Sequence, residues 1–467
     1  MYSSSSFLAK QNLWLSLVDY RKNKQGITWH FFKNILRYYT LIFASTFTFI
    51  CQKLAWLITR QKYEFLQSTD YLIDSYIYYN SKIIEIDCLS SYLPGLTRNL
   101  EKKNINYVII PRINIKINPK VIYSYYNKIK HKRVKLLSPF QFISFYDVIK
   151  IIYICIIQPI QIFKLINNNK LKKQKEFIYY FFFSTLSSPF SCSISYFQYL
   201  KICTKIKNKI SIIQWSENQN FDRTINLCIR KYFPNHKIIG TQLFVKAPEC
   251  INYNYASTDH GVYIPNKLLV NGTAYQDKKN NHVTGPSFRY QWIFKNSVKR
   301  KLNNSIVVLL PYWEAKVLEI LVFLNSHDFK FPITLKFHPS TNYKKFSELI
   351  SGMNFTTDRI ENIIGQFSLV IGSSSGSLLE SLACGVPVGV FSYELNEGFN
   401  FLPYEYRTIN WDSFSNYDQF CFILEKYLSK SNSMCTQLQQ NAKKIRLEYF
   451  TELTQSNFER SFELHQG

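Results

Sequence analysis

Beyond residue 305 short apolar runs alternate with segments of helical period, and that alternation predicts an α/β domain. Residues 305–310, 333–337, 367–371 and 386–391 read as strands. Residues 314–324, 343–350, 377–384, 417–428 and 434–450 read as helices. The first half carries the same alternation less regularly. There 82–87, 106–110, 210–215 and 237–242 read as strands, with 267–271 and 282–285 as shorter ones. Segments 96–103 and 222–232 read as helices, and 82–110 as one βαβ unit. The first 75 residues look helical and carry no recognisable chemistry, and 112–205 is basic, aromatic and mostly helical. A Lys- and Asn-rich join near 290–304 reads as a linker. The predicted fold class is therefore α/β, with two Rossmann-like domains facing a cleft and a helical N-terminal extension. The expected boundaries are 1–290, 305–440 and a last helix, 441–467, that crosses back to the first domain. Ligands are expected in the cleft, at the carboxyl ends of the strands.

Composition changes this picture in two places. Lys and Arg number 57 against 31 acids, a net charge of +26, and the excess is confined to the first half. Residues 116–135 alone hold seven basic residues and no acid. That points to an anionic surface or substrate, such as phospholipid headgroups or a lipid pyrophosphate. Nucleic acid is not expected, because none of its usual recognition signatures is present. Two apolar stretches, 38–58 and 148–166, are interrupted by Gln52 and Lys53 and by Lys150 and Pro159 respectively. They read first as buried helices, then as segments lying in a membrane interface, and last as spans. No secretory signal is evident. The ten cysteines are scattered with no CxxC pair, so neither disulfides nor structural metal are expected.

The most informative stretch joins the strand at 367–371 to the helix at 377–384 through a small-residue turn. Ser373, Ser374, Ser375, Gly376 and Ser377 put hydroxyls and backbone N–H groups at a helix N-terminus, where partial positive charge favours a phosphate. The spacing is neither the Walker loop nor the dinucleotide fingerprint. The bland reading is that these residues only cap a helix. His338 and Pro339 follow another strand of the same sheet, so the imidazole can meet the same phosphate.

A His-Pro pair followed some thirty residues later by a serine run resembles the nucleotide-binding domain of GT-B glycosyltransferases. The nearest subset is the bacterial enzymes of capsule and lipopolysaccharide synthesis that use CMP-activated sialic acid or Kdo. The resemblance covers about 305–395 well and the first half in outline. It implies that His338 and Ser373 to Ser375 hold the donor phosphate. The Glu380-Ser-Leu-Ala-Cys-Gly-Val-Pro segment resembles the helix and turn of many such enzymes, in which the leading acid meets the ribose.

An inverting transfer also needs a carboxylate base for the acceptor hydroxyl. Glu217, at the tip of the strand at 210–215, is the first choice; it reads equally as a plain loop acid. Asp222 is the second, and reads also as the N-cap of the next helix. The Asp/Glu-Asp-Gly type motif that carries the base in the CMP-sugar enzymes is absent. Gln219, Gln242, His260, Arg289 and Glu314, with Tyr312 and Trp313, are further contact candidates. No Asp-x-Asp motif occurs, so no metal or other cofactor is expected.

The whole reading is a metal-independent inverting glycosyltransferase with a nucleotide-sugar donor, CMP-linked before UDP or GDP. Its acceptor would be lipid-linked or a growing surface polysaccharide, at the cytoplasmic face of the cell membrane. The rivals are a CDP-glycerol or polyol-phosphate transferase, a sugar-nucleotide epimerase and a non-enzymatic membrane-surface scaffold.

Overall fold

The structure is a computed structural model that describes residues 27–59, 68–78, 92–114, 119–130, 136–137, 139–168, 189–247, 255, 257–295, 304–311, 313–339, 341–373, 375–392, 400–429 and 432–464. Two compact units emerge, and the division is not at a single point. The first comprises Met1–Leu243, Ile251–Leu269 and Asp277–Val283; the second comprises Phe244–Cys250, Val270–Gln276 and Thr284–Gly467. Residues 244–250 and 270–276, placed in the first domain by the sequence reading, thus belong to the second unit.

The first unit is built on a six-stranded sheet. Its strands are β1 (Tyr71–Tyr78), β2 (Tyr107–Asn114), β3 (Ser211–Trp215), β4 (Lys237–Thr241), β5 (Lys267–Val270) and β6 (His282–Thr284), in the order β2-β1-β3-β4-β5-β6. β1 pairs in parallel with both β2 and β3, so the chain reverses its direction of winding between β1 and β3. Leu72, Val108, Ile110, Ile212 and Ile238 form one core with Ile225 and Ile229 from the Asn220–Tyr232 helix and Tyr199 and Ile202 from the Pro189–Lys205 helix. Each such aliphatic side chain contributes about 1.5–3 kcal/mol on burial.

β1 is a correction to the sequence reading, which ran a helical region to residue 75 and put the first strand at 82–87. The latter lies outside the described residues. A central parallel strand is buried on both faces and lacks period-2 alternation, so its apolar run passes equally for helix.

The two apolar stretches lie in the helices Ile27–Thr59 and Phe145–Asn168. Neither is the buried helix that was the preferred reading. Tyr38, Ile42 and Phe49 face the core, but Leu36, Phe43, Phe47 and Ile58 are exposed. On the other helix Val148, Ile151 and Cys155 are buried while Tyr146, Ile149, Tyr153 and Ile160 are exposed. Lys53 turns inward and its ammonium donates to the Phe140 and Ile143 carbonyls. Residues Ile35–Ile58 are long and apolar enough to cross a bilayer by length and composition.

The second unit holds β7 (Ile306–Leu309), β8 (Ile333–Lys336), β9 (Asn354–Thr356), β10 (Leu369–Gly372), β11 (Val388–Phe391) and β12 (Trp411–Phe414). Their order, β12-β11-β10-β7-β8-β9, is all parallel and is that of a doubly wound dinucleotide-type sheet. β9 and β12 were not read from sequence, and the segment 343–350 is a 3-10 turn, Tyr343–Phe346, rather than a full helix. Helices Gly376–Ala383, Glu314–Asn325 and Tyr417–Leu428 cover the sheet, and their apolar faces fill two cores.

The C-terminal Asn432–Tyr449 and Gln455–Phe462 helices dock on residues 272–275 and 287–291. Ser287 Oγ accepts the Thr451 N–H at 2.8 Å and donates to the Asn271 carbonyl at 2.6 Å. The Tyr290 and Phe450 rings meet edge to face at 5.1 Å. Gly272 is needed there: a Cβ would stand 2.3 Å from the Glu448 carbonyl oxygen. The last helices thus reach residues that precede the expected linker yet belong to the second unit.

Candidate functional site

In a doubly wound sheet a crevice opens where the winding reverses, at the carboxyl ends of the two strands concerned. In the second unit those strands are β7 and β10. The serine turn leaves the end of β10, and His338 follows β8, the neighbour of β7. The topology alone therefore brings the two sequence motifs to one edge of one sheet.

The turn is partly a helix cap. Ser375 is the N-cap of the Gly376–Ala383 helix and its side chain accepts the Ser377 N–H at 3.3 Å. The Ser377 side chain in turn hydrogen-bonds to Glu380. Ser373 is buried behind the turn, and Ser374 lies outside the described residues. Gly376 is sterically required, since a Cβ there would meet Val245 Cγ2 at 2.4 Å.

The charges around this turn form a group. His338 and Pro339 reach the surface, and partial cover of the imidazole, with the positive fields of Lys336 and Arg289, holds it below its usual range. Arg289 also acts on Glu380, whose carboxyl is pushed up to about 7, chiefly by burial. One guanidinium is thus felt by both the His-Pro histidine and the acid of the serine helix. Arg289 itself is exposed and lies over the Phe244 ring at 4.6 Å. A neutral imidazole, an exposed guanidinium and a helix N-terminus together favour an anion. Glu314, by contrast, is spent on a surface ion pair with Lys345 at 2.6 Å. Trp313 is the N-cap of that helix, and Tyr312 lies outside the described residues.

The first unit reverses its winding between β1 and β3, and Glu217 follows β3. Its carboxyl is pushed up to about 7, mainly by burial and then by the negative charge of Asp222. The Gln219 amide donates to it at 2.9 Å. A half-buried carboxyl that titrates near neutrality is what a general base requires.

Asp222 is differently employed. Gln219, not Asp222, is the N-cap of the Asn220–Tyr232 helix, and Asp222 is the third residue of a capping box. One of its oxygens accepts the Glu217 and Gln219 N–H groups at 2.9 and 3.1 Å. The other accepts from Arg112 at 2.9 Å. Arg112 is buried and also grips Asp74 with a paired contact, and its guanidinium stacks on Phe221 at 3.9 Å. The site thus hangs on a buried Asp74–Arg112–Asp222 triad, in which burial raises the Asp74 pKa against the pull of Arg112.

Sequence reasoning missed Asp74 and Arg112. The available signal was a lone carboxylate and a lone guanidinium, each inside an apolar strand run, which fold only as partners. A second buried pair, Arg223 with Asp259 at 2.7 Å, was also missed. His260, next in the chain, is half-buried with its ring edge-on to Tyr255. Gln242 is buried at the end of β4, where its N–H donates to the Leu269 carbonyl.

No family model matches the chain, and no curated protein matches it. Among solved structures, the chain is similar to a CDPG-soaked variant of the wall teichoic acid polymerase TagF, with a TM-score of 0.42 and 11% identity over 93% of this chain and 96% of that one. It is also similar to S. aureus MnaA with UDP, with a TM-score of 0.46 and 9% identity over 85% and 95%. A third is the UDP-GlcNAc 2-epimerase of Methanocaldococcus jannaschii with UDP-GlcNAc and UDP, at 0.42 and 12% over 81% and 99%. Likeness at this level assigns no activity to this chain.

Proposed function

We propose that the chain is a metal-independent inverting glycosyltransferase that moves a sugar from a nucleotide donor to a lipid-linked or growing surface polysaccharide. The observation that carries the reading is the cluster of Arg289, His338 and the N-terminus of the Gly376–Ala383 helix at the winding reversal of the second sheet, a set of groups suited to a leaving phosphate. The donor belongs to that unit, with a CMP-sugar favoured by the resemblance of its motifs. His338, Pro339, Ser373, Ser374, Ser375, Gly376, Ser377 and Glu380 make up the donor site in this reading. Acceptor activation belongs to the first unit, where Glu217 takes the hydroxyl proton and Asp222 orients the loop that carries it. The exposed apolar faces of Ile27–Thr59 and Phe145–Asn168, in a strongly basic first half, supply peripheral contact with an anionic membrane.

Calorimetric titration of the whole chain with CMP, UDP, GDP and CDP-glycerol tests the donor. Binding of CMP that is lost in His338→Ala and Arg289→Ala is expected. No binding of any nucleotide at millimolar concentration sinks the enzyme reading. Preference for CDP-glycerol over the sugar nucleotides, or turnover of a donor without acceptor, would move it to the polymerase or epimerase class.

A further inference from the structure

Inside the first unit lies a cavity of about 430 Å3 to which neither motif contributes. Its walls come from the Ile27–Thr59 and Pro189–Lys205 helices and the β1–β2 edge of the sheet. Phe49, Phe140, Phe190 and Ile194 give it an apolar body. Asp74, Arg112 and Tyr199 meet at a polar end, and Ser45, Thr48, Gln52, Ser191, Ser195 and Gln198 add polar groups to the walls. Its size falls in the range of small-molecule pockets, roughly 300–1,000 Å3.

The polar lining is unfinished. The Gln198 side chain is 5% exposed, and its amide nitrogen has no hydrogen-bond partner among the described residues. A buried N–H left unpaired costs about 1–3 kcal/mol, which an incoming oxygen acceptor would recover once the amide rotates to bring its closed-off nitrogen to the cavity. The Tyr199 hydroxyl stands beside the Asp74 carboxylate. Within the triad the Arg112 guanidinium is already taken up by the Asp74 and Asp222 carboxyl groups, so it is not offered to an anionic headgroup. Phe221 lines the cavity and precedes Asp222, whose other oxygen holds the Glu217 loop. The polar end is therefore joined to the loop of the candidate base through Arg112 and Asp222.

We infer that this cavity binds an amphiphile, with an alkyl or prenyl chain against the aromatic and aliphatic walls and an uncharged, oxygen-bearing head accepting from Gln198. It deepens the acceptor reading above and rests on it only for the head's role: the chain anchors the acceptor beside Glu217.

The test uses the full chain and n-octyl β-glucoside below its micelle concentration, with glucose and octyl sulfate as separate probes, read by calorimetry. Saturable binding of octyl glucoside is expected, at least tenfold tighter than glucose or octyl sulfate. Ala44→Phe and Ser195→Leu, which fill the cavity, and Gln198→Leu, which removes the donor, should each weaken it at least tenfold, with circular dichroism confirming the fold. Leu318→Ser and Leu447→Ser, exposed side chains of the second unit, should not. Absence of saturable binding, equal binding of octyl sulfate, or wild-type binding by those filled variants that fold overturns the inference. Retained octyl glucoside binding in a chain that binds no nucleotide would sink the proposed function and leave this inference standing.

Discussion

Replacing Glu217 with glutamine should cost activity and raise stability, and the pH at which the stability gain develops is set by the structure. An unfolded glutamate titrates at 4.5, whereas burial and the neighbouring Asp222 push the folded group up to about 7. Between those values the unfolded chain has released this proton and the folded chain still holds it. Stability must therefore fall as pH rises through the interval. At about 1.4 kcal/mol for each tenfold change in proton affinity, the loss is about 3 kcal/mol by pH 8. Below the unfolded value the term vanishes. Glutamine keeps the shape and can still accept the Gln219 amide, but carries no proton to release. Relative to wild type, Glu217→Gln should gain about 3 kcal/mol between pH 4.5 and 8, while transfer falls by about 10²–10⁴-fold if the carboxylate is the base. Taking the difference between the two proteins removes every other titrating group, Glu380 included. Denaturant unfolding at both pH values, followed by hydrogen exchange in β3 so that only the first unit is read, supplies the measurement. A stability difference that does not change with pH refutes the burial argument. A gain without loss of transfer would leave Glu217 an ordinary buried acid.

Other outcomes follow from the same geometry. Arg112→Met strands two buried carboxylates and should destabilise the first unit by about 3–5 kcal/mol, less at low pH, where protonation of Asp74, already favoured by its burial, relieves part of the cost; thermal unfolding at pH 4.5 and 7.5 checks both. Gly376→Val must displace Val245 and should lower the stability of the second unit by about 1–3 kcal/mol, with partial recovery in Val245→Ala; equilibrium unfolding reads it. Because His338 is held neutral by burial, Lys336 and Arg289, nucleotide affinity should rise as pH is lowered through its titration and be flat in His338→Asn, which calorimetry at several pH values would show. Gly272→Ala should loosen the Asn432–Tyr449 helix, seen as faster hydrogen exchange there, with little change at β3.

The serine turn, the His-Pro corner and most strands of the second sheet were legible because each depends on neighbours in sequence. A turn must be small where Val245 presses on Gly376, and an apolar run bounded by polar residues declares itself. What escaped depends on partners far along the chain. Asp74 and Arg112 are 38 residues apart and Arg112 and Asp222 are 110 apart, so no window joins them. β9 and β12 escaped for a different reason: three or four residues at a sheet edge carry too little apolar pattern to register. The paired apolar helices were misjudged because composition shows how greasy a segment is but not which sides are covered.

The second unit is assembled from three separate stretches of chain, and its closing helices rest on the middle one and on the start of the third. Severing the polypeptide at the join near residue 300 would strip Tyr290 from Phe450, Ser287 from Thr451 and Val245 from Gly376. The second unit therefore cannot be isolated by a cut at that join. A fragment that starts at residue 244 keeps these contacts, but it carries residues 251–269 and 277–283 of the first unit with it, because the anchor for the last two helices is made early in synthesis and occupied late.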